Sequence, residues 1–154
     1  MRPLSLNNRR SGFTLVEILI VVIILGILAS IVIPTFSNTS RDARRSALSS
    51  TVQSVRSQIG LYKLQHGDTL PDLTTDWSPF LGVTVYNAKN FGPYMQTVPQ
   101  NEVTDGASAV KNGTSVAAGD TCAFVYDYGT AGDGSGRFWG VDVEPDGTLS
   151  LLGE

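Results

Sequence analysis

Glu17 is the only charged residue in the 21-residue run from Phe13 to Ile33. A carboxylate in the bilayer core costs about 2.5 to 3.5 kcal/mol or more, so it calls for a partner. Cutting the chain between Gly12 and Phe13 would create an ammonium group four residues before Glu17. That ammonium would neutralise the carboxylate of its own chain or of a neighbouring copy. Proteolytic processing followed by ion pairing is thus one route by which the charge of Glu17 could be neutralised.

A second group of carboxylates lies near the carboxyl end, around two turn-rich stretches. Asp127, Asp133 and Asp142 are candidate calcium ligands, because calcium takes six to eight oxygen ligands from flexible loops. The alternative is that these aspartates favour turns and hold no ion. Calcium is thus a possible cofactor, and the sequence predicts no other.

Residue patterns of common enzyme sites are missing from the sequence. There is no G-x-S-x-G, no phosphate-binding loop ending in Lys-Ser or Lys-Thr, and only one His and one Cys. We therefore expect no enzyme activity. The lone Cys122 excludes an intrachain disulfide.

Charge argues against nucleic acid as a partner. Removing the three arginines of residues 1–12 from the 11 Lys and Arg leaves eight cations against 14 Asp and Glu, a net charge of −6. The exception is the cluster Arg41 to Arg45, which we interpret as a solvated helix face, with lipid head groups or acidic neighbours as alternatives.

The segment that must position Glu17 is long enough to cross a bilayer as one helix. At about 1.5 Å per residue, residues 13–33 span the roughly 30 Å hydrocarbon core. A secretory signal peptide has a shorter apolar core, and an ordinary single-pass anchor leaves Glu17 unexplained. The basic residues 1–12 place the amino terminus in the cytoplasm.

Residues 10–17, with the aliphatic run after them and Pro34, resemble the class III signal of type IV pilins and type II secretion pseudopilins. The resemblance implies that residues 1–12 are a leader removed by a prepilin peptidase, which cuts after Gly12 and methylates Phe13. It further implies that Glu17 recruits subunits into a helical filament. Pro34 is expected to kink or loosen the assembly helix.

After Pro34 the helical period resumes in an amphipathic half at 34–66. Its apolar stripe comprises Leu48, Val52, Val55, Ile59 and Tyr62. Gly67 is predicted to end the helix in the left-handed conformation. His66, beside this end, is expected to be an exposed capping residue.

The rest of the chain is divided into a variable loop region at 67–120, with little regular structure, and an antiparallel meander at 121–154. Three β-prone runs, 122–128, 137–143 and 148–152, form the meander. Its aromatic face should cover the helix stripe. The predicted fold class is therefore α+β, with a long helix, half transmembrane and half amphipathic, packed against about three strands, and with 34–154 as one periplasmic head.

The function that this resemblance implies is that of a structural subunit of a type II secretion pseudopilus. Such a filament lies in the periplasm and helps to move folded proteins across the outer membrane. Implied partners are further copies, minor pseudopilins, the prepilin peptidase, an inner-membrane assembly platform and membrane lipid. The alternatives are a type IV pilus subunit for adhesion, twitching or DNA uptake, and a membrane-tethered binding module.

Overall fold

The computed structural model describes residues 12–152, without the side chains of residues 34, 35 and 37. The chain divides into two compact units, Met1–Ser40 and Arg41–Glu154. The predicted leader, apart from Gly12, lies outside the described residues. So do the last two residues of the predicted meander.

Helix α1, Leu15–Gln65, runs through both units. It continues across Pro34, although proline cannot donate a hydrogen bond to the carbonyl four residues earlier. In the first unit, its large apolar side chains from Leu15 to Ile33 are between 47% and 81% exposed. An 18-residue stretch of this helix has a mean hydropathy of 3.2. By length and composition, α1 is therefore long and apolar enough to cross a membrane.

In the second unit, the predicted apolar stripe of α1 forms one side of the core. Four side chains of the stripe are at most 3% exposed: Leu48, Val52, Val55 and Ile59. Tyr62, the fifth, is partly buried and packs against this core. Their spacing of three or four residues puts them on one helix face. The amphipathic half of the helix is therefore confirmed.

The end of α1 follows the prediction for Gly67. This residue has a φ of +64°, and the Asp68 N–H donates to the Lys63 carbonyl at 2.8 Å. A methyl group at Gly67 would also collide with the Tyr86 hydroxyl. Glycine is thus required both for the left-handed cap and for close packing.

His66 is buried, so its prediction as an exposed cap was wrong. Its ring is 4% exposed and stacks on Tyr62 with 3.9 Å between ring centroids. Tyr86, Phe91 and Tyr94 also contact it, at centroid distances of 5.3 to 6.3 Å. Aromatic residues of the following segment fold back over the helix end, which the sequence of the helix alone could not indicate.

The segment 67–120 is more regular than predicted. It contains the short helix α2, a hairpin, a 3-10 helix and one strand of the main sheet: α2 Ser78–Leu81, β1 Thr84–Tyr86, β2 Lys89–Phe91, the 3-10 helix Glu102–Thr104 and β3 Val110–Asn112. Each strand has three residues, too few to produce a visible alternation of apolar and polar side chains. The prediction placed none of these short elements, which are separated by longer irregular stretches.

The main sheet has the order β3-β4-β5-β6 in the described residues. The predicted antiparallel meander is present as β4 Phe124–Tyr126, β5 Phe138–Val143 and β6 Leu149–Leu152. Strand β3 adds to it in parallel with β4, which the prediction of about three antiparallel strands missed. Two parallel strands need a longer connection than a hairpin turn. Here residues 113–123 connect β3 to β4, and most of them lie in the predicted loop region.

Aromatic side chains join the sheet to α1. The predicted aromatic face comprises Phe124, Tyr126 and Tyr128. Phe124 and Tyr126 are fully buried in the core that includes the helix stripe, and Tyr128 packs against it partly buried. Phe138 of β5, which was not predicted for this face, is fully buried in the same core. Trp77 meets Phe124 and Phe138 edge-on, with centroids 5.9 and 6.1 Å apart. Residues before the sheet thus complete the same core, and the α+β fold class is confirmed.

The cluster Arg41 to Arg45 forms ion pairs within the second unit. Arg45 pairs with the fully buried Asp142, and its guanidinium lies 3.1 Å from Glu144 Oε1. Arg41 contacts Glu144 Oε2 at 2.9 Å and donates to the Val143 carbonyl. The expectation of a solvated helix face was wrong for Arg41 and Arg45, because the end of β5 brings carboxylates to them.

Two glycine substitutions test the contact between α1 and β5. A methyl group at Gly140 would approach Leu48 Cδ1 to 2.7 Å and Cγ to 2.8 Å. We expect Gly140→Ala to lower the free energy of unfolding by about 1 to 3 kcal/mol through overpacking. Gly60, on the exposed face of α1, has nothing within 4 Å, so Gly60→Ala should raise it by about 0.5 to 1 kcal/mol.

Denaturation of the detergent-solubilised full chain measures both effects. A Gly140→Ala variant as stable as the unmodified chain would contradict the close contact between α1 and β5.

Candidate processing and assembly site

The bond between Gly12 and Phe13 is accessible in the structure. Both residues precede α1 and are exposed, and the Phe13 side chain is 82% exposed. A methyl group at Gly12 would meet no atom within 4 Å. An enzyme that cleaves this bond therefore meets no obstruction from the described residues.

Thr14 and Glu17 form a reciprocal cap at the start of α1. The Thr14 N–H and hydroxyl donate to Glu17 Oε2, at 2.8 and 3.0 Å. The Glu17 N–H in turn donates to Thr14 Oγ1 at 3.2 Å. This is the capping box of the pattern Ser/Thr-x-x-Glu, which satisfies amide groups left without partners in the first helical turn.

The capping box changes the interpretation of Glu17. The sequence analysis gave its carboxylate no partner before cleavage, whereas the structure gives it two donors on Thr14 of the same chain. A negative charge also interacts favourably with the amino-terminal end of a helix. Glu17 is therefore stabilised locally in the uncut chain.

Thr14 is a residue that the sequence analysis did not single out. Its signal was present, since Thr14 stands three residues before Glu17 and directly before the apolar run. Thr14 is uncharged, so the requirement for a cationic partner of Glu17 does not point to it, whereas the spacing of the capping box does.

The geometry also shows where a new amino terminus would lie. Cleavage after Gly12 would put an ammonium group on Phe13, the residue before Thr14, whose own N–H is already 2.8 Å from the Glu17 carboxylate. Among the described residues, the hydrogen bonds to this carboxylate all go to Oε2, and a carboxylate accepts at both oxygens, so Oε1 could accept from a further donor. The start of α1 can thus bind one cation of its own chain or of a neighbour.

The predicted calcium ligands do not come together as one site. Asp142 is fully buried and pairs with Arg45, so it does not fit as a calcium ligand. Within the described residues, no group of three or more His, Cys, Asp or Glu side chains is arranged to hold a metal ion. The prediction that includes Asp142 is therefore corrected.

Asp127 and Asp133 both lie in the loop between β4 and β5, where they accept hydrogen bonds. Asp127 Oδ2 accepts from the Ser135 N–H at 3.0 Å and from its hydroxyl at 2.5 Å. Asp133 Oδ1 accepts from the Thr130 N–H at 2.8 Å. These bonds hold the pKa of each carboxyl below its usual value, for Asp127 chiefly through the Ser135 side chain and for Asp133 through backbone N–H groups.

Comparison with known protein families gives a match in the amino-terminal segment. Residues 7–33 match the family model described as the prokaryotic N-terminal methylation motif. The match includes Gly12, Phe13 and Glu17. No solved structure gives a significant match to the chain.

Several curated proteins are similar over part of the chain, and their shared name is type II secretion system core protein G. The protein from Dickeya chrysanthemi is 38% identical over 61 residues, 40% of each chain. Those from Pectobacterium carotovorum and Pseudomonas aeruginosa are 41% and 36% identical over 58 and 60 residues, covering 38% and 39% of this chain and 37% and 42% of the relatives. The chain thus spans about two fifths of the length of the relatives that it matches.

The matched motif contains the accessible Gly12–Phe13 bond and the capped Glu17, the features on which the predicted resemblance rests. The amino-terminal segment of this chain is therefore a prokaryotic N-terminal methylation motif, and the resemblance of the chain to the major pseudopilins of type II secretion is confirmed.

Proposed function

We propose that this chain is a structural subunit of a type II secretion pseudopilus. The observation that carries the proposal is the start of α1, where an accessible Gly12–Phe13 bond precedes a carboxylate that is poised to bind a cation. The exposed aliphatic surface of the first unit supports it as well. The large apolar side chains from Leu15 to Ile33 are exposed in the single chain, so lipid or other helices must cover them.

In this proposal, a prepilin peptidase cuts after Gly12 and methylates the new terminus at Phe13. Glu17 then pairs with an ammonium group of its own chain or of a neighbouring subunit. Where the ammonium comes from a neighbour, only a correctly placed copy offers it within the apolar assembly, so that ion pair sets the register between subunits. Pro34 would loosen the helix between the packed segment and the head.

The proposed location follows from the same segment. The chain first spans the inner membrane once, with its amino terminus in the cytoplasm and residues 41–152 in the periplasm. It then joins a periplasmic filament that helps folded proteins to cross the outer membrane. Its partners would be further copies, minor pseudopilins, an assembly platform in the inner membrane and membrane lipid.

Neither alternative from the sequence analysis is favoured. The similar proteins described above are named for type II secretion, so a type IV pilus role has less support. A membrane-tethered binding module needs no carboxylate at the start of its anchor. The role proposed here is structural and requires no catalytic residues.

Substitution of Glu17 separates its charge from its capping role. Glu17→Gln keeps the capping box, because glutamine also caps at this position, but removes the charge. We expect this variant to insert into the membrane like the unmodified chain but not to assemble into filaments. We expect the same two results for Glu17→Val. Filaments are counted by electron microscopy of cells that express the secretion machinery, and membrane insertion is measured by fractionation.

The matched control for these variants is Thr14→Ala, which removes both hydrogen bonds of the Thr14 hydroxyl and keeps the carboxylate. If Glu17→Gln assembled like the unmodified chain, a charged carboxylate would not be needed and the proposal would be wrong. If Glu17→Val inserted into the membrane at least as well as the unmodified chain and neither of them formed filaments, the tethered binding module would be favoured instead.

Calcium binding at the loop that contains Asp127 and Asp133 stays a prediction. Occupation of this loop would raise the melting temperature, since a ligand that binds only the folded state stabilises it. We expect millimolar calcium, and not magnesium, to raise the melting temperature of the full chain, and Asp133→Asn to remove the effect. Equal melting temperatures with and without calcium would sink this prediction.

A further inference from the structure

The contacts between α1 and strand β5 follow one another in order along both elements. From one end to the other, the contacting pairs are Arg41 with Val143, Arg45 with Asp142, Leu48 with Gly140, and Arg56 with Phe138. Residue numbers rise along α1 as they fall along β5, so the two elements run in opposite directions. We call this alignment of α1 against β5 the register of the helix.

Arg45 occupies a position of the apolar stripe of α1. The buried members of the stripe are Leu48, Val52, Val55 and Ile59. Arg45 stands three residues before Leu48, which continues their spacing of three or four residues and puts Arg45 on the same helix face. Its Nε atom is buried. A cation thus takes the place of an aliphatic side chain at one end of the stripe.

Asp142 is the matching exception on the sheet. Side chains alternate between the two faces of a strand, and Phe138 and Gly140 of β5 lie on the face toward α1. Asp142 belongs to the same row and is fully buried. Arg45 is its ionic partner, and no hydrogen bond from any other described residue reaches its carboxylate. Neutralisation of this buried charge therefore depends on which residue of α1 lies opposite it.

The apolar stripe by itself does not determine the register, because its pattern repeats every seven residues. If α1 slipped by seven residues along β5, Val55 would take the place of Leu48, and Ile59 the place of Val52. Exchanges of one aliphatic residue for another of similar volume are the substitutions that protein cores tolerate best. The slipped register would therefore keep much of the apolar contact.

The ion pair excludes this slip. In the slipped register, Val52 would lie opposite Asp142, and Arg45 would lie beyond the end of β5. A buried carboxylate that loses its ionic partner is strongly destabilising, whereas an imperfect fit of aliphatic side chains costs less. A single polar residue at a core position fixes the register of coiled coils for the same reason. The pair is thus suited to select one register among several with similar apolar contact.

We propose that Arg45 and Asp142 are positioning residues that fix the register of α1 against β5. They contribute specificity rather than net stability, because replacing a buried ion pair by apolar residues of similar volume is often neutral or stabilising. The consequence for assembly rests on the proposed function. A seven-residue slip would change by seven the number of residues between Glu17 and the point where α1 meets the sheet, so copies in different registers would not fit one regular filament.

Pulsed electron paramagnetic resonance of the detergent-solubilised full chain measures the register. In a Cys122→Ala background, spin labels are attached to Ser57→Cys on α1 and to Thr121→Cys before β4, since both positions are exposed. We expect one narrow distance distribution for the chain that keeps the ion pair. The apolar variant, Arg45→Met with Asp142→Leu, should show a second distance, because a seven-residue slip moves α1 by about 10 Å along its axis.

Thermal unfolding of the apolar variant separates register from stability. We expect a cooperative transition at a melting temperature no lower than that of the unmodified chain. Arg45→Lys keeps a cation opposite Asp142, so this conservative variant should retain the single distance.

A matched control removes an ion pair that does not involve α1. Lys111 Nζ lies 2.6 Å from Asp120 Oδ2, and both side chains are partly exposed. Lys111→Met with Asp120→Asn removes this pair, while the asparagine oxygen can still accept the hydrogen bond from the Ala117 N–H. This variant should keep the single distance and form filaments like the unmodified chain.

Two results for the apolar variant would overturn the proposal. A single narrow distance, equal to that of the unmodified chain, would show that the apolar contacts alone fix the register. Loss of cooperative unfolding would show that the ion pair holds the second unit folded instead of selecting its register.

Electron microscopy of cells that express the secretion machinery tests the consequence for assembly. We expect the apolar variant to insert into the membrane and to lose filaments. Regular filaments from a variant with two distances would overturn the role of the register in assembly and leave the proposed function intact. The absence of filaments from the unmodified chain would contradict the proposed function itself, whereas the distance measurement needs no filament.

Discussion

A carboxylate at the start of an apolar helix must be hydrogen-bonded or paired, and the first turn of α1 is arranged around this requirement of Glu17. In the uncut chain, Thr14 provides two donors to its side chain. After cleavage, an ammonium group would lie on Phe13, one residue before Thr14. The same carboxylate can therefore serve as a helix cap in the membrane and as an ion-pair partner in a filament.

The two parts of helix α1 differ in which of their side chains are buried. From Leu15 to Ile33, its large apolar side chains are exposed and require lipid or other helices around them. Beyond Arg41, one stripe of the helix is buried under a sheet and the opposite face carries serine, glutamine and glycine. The change of pattern after Pro34 marks the passage from one environment to the other.

Much of this was predictable because the signals were long. The apolar run, the stripe from Leu48 to Ile59 and the three strands of the meander each extend over several residues with a clear period. Strand β4 also has three residues, but it lies within the longer β-prone run 122–128. Strand β3 and the hairpin were missed because their three-residue strands lie in no such run. His66 was misplaced because its burial depends on aromatic residues 20 or more positions later in the sequence.

The prediction of site residues likewise depended on whether the residues that define their role are near or distant in the sequence. Glu17 could be identified from its isolation in an apolar run, and Thr14 was missed only because charged partners alone were considered. Asp142 was misassigned as a calcium ligand because its partner Arg45 is almost 100 residues away in the sequence. This contact follows from the packing of α1 against β5, which short motifs do not contain.

The most direct test of the central claim is the intact mass and amino-terminal sequence of the protein recovered from membranes of a host with a prepilin peptidase. The account predicts a chain that begins at Phe13 and carries one added methyl group. A chain that still begins at Met1 would be a plain membrane-anchored domain and would contradict the account. So would a cut near Ala29, which removes Glu17 from the mature protein.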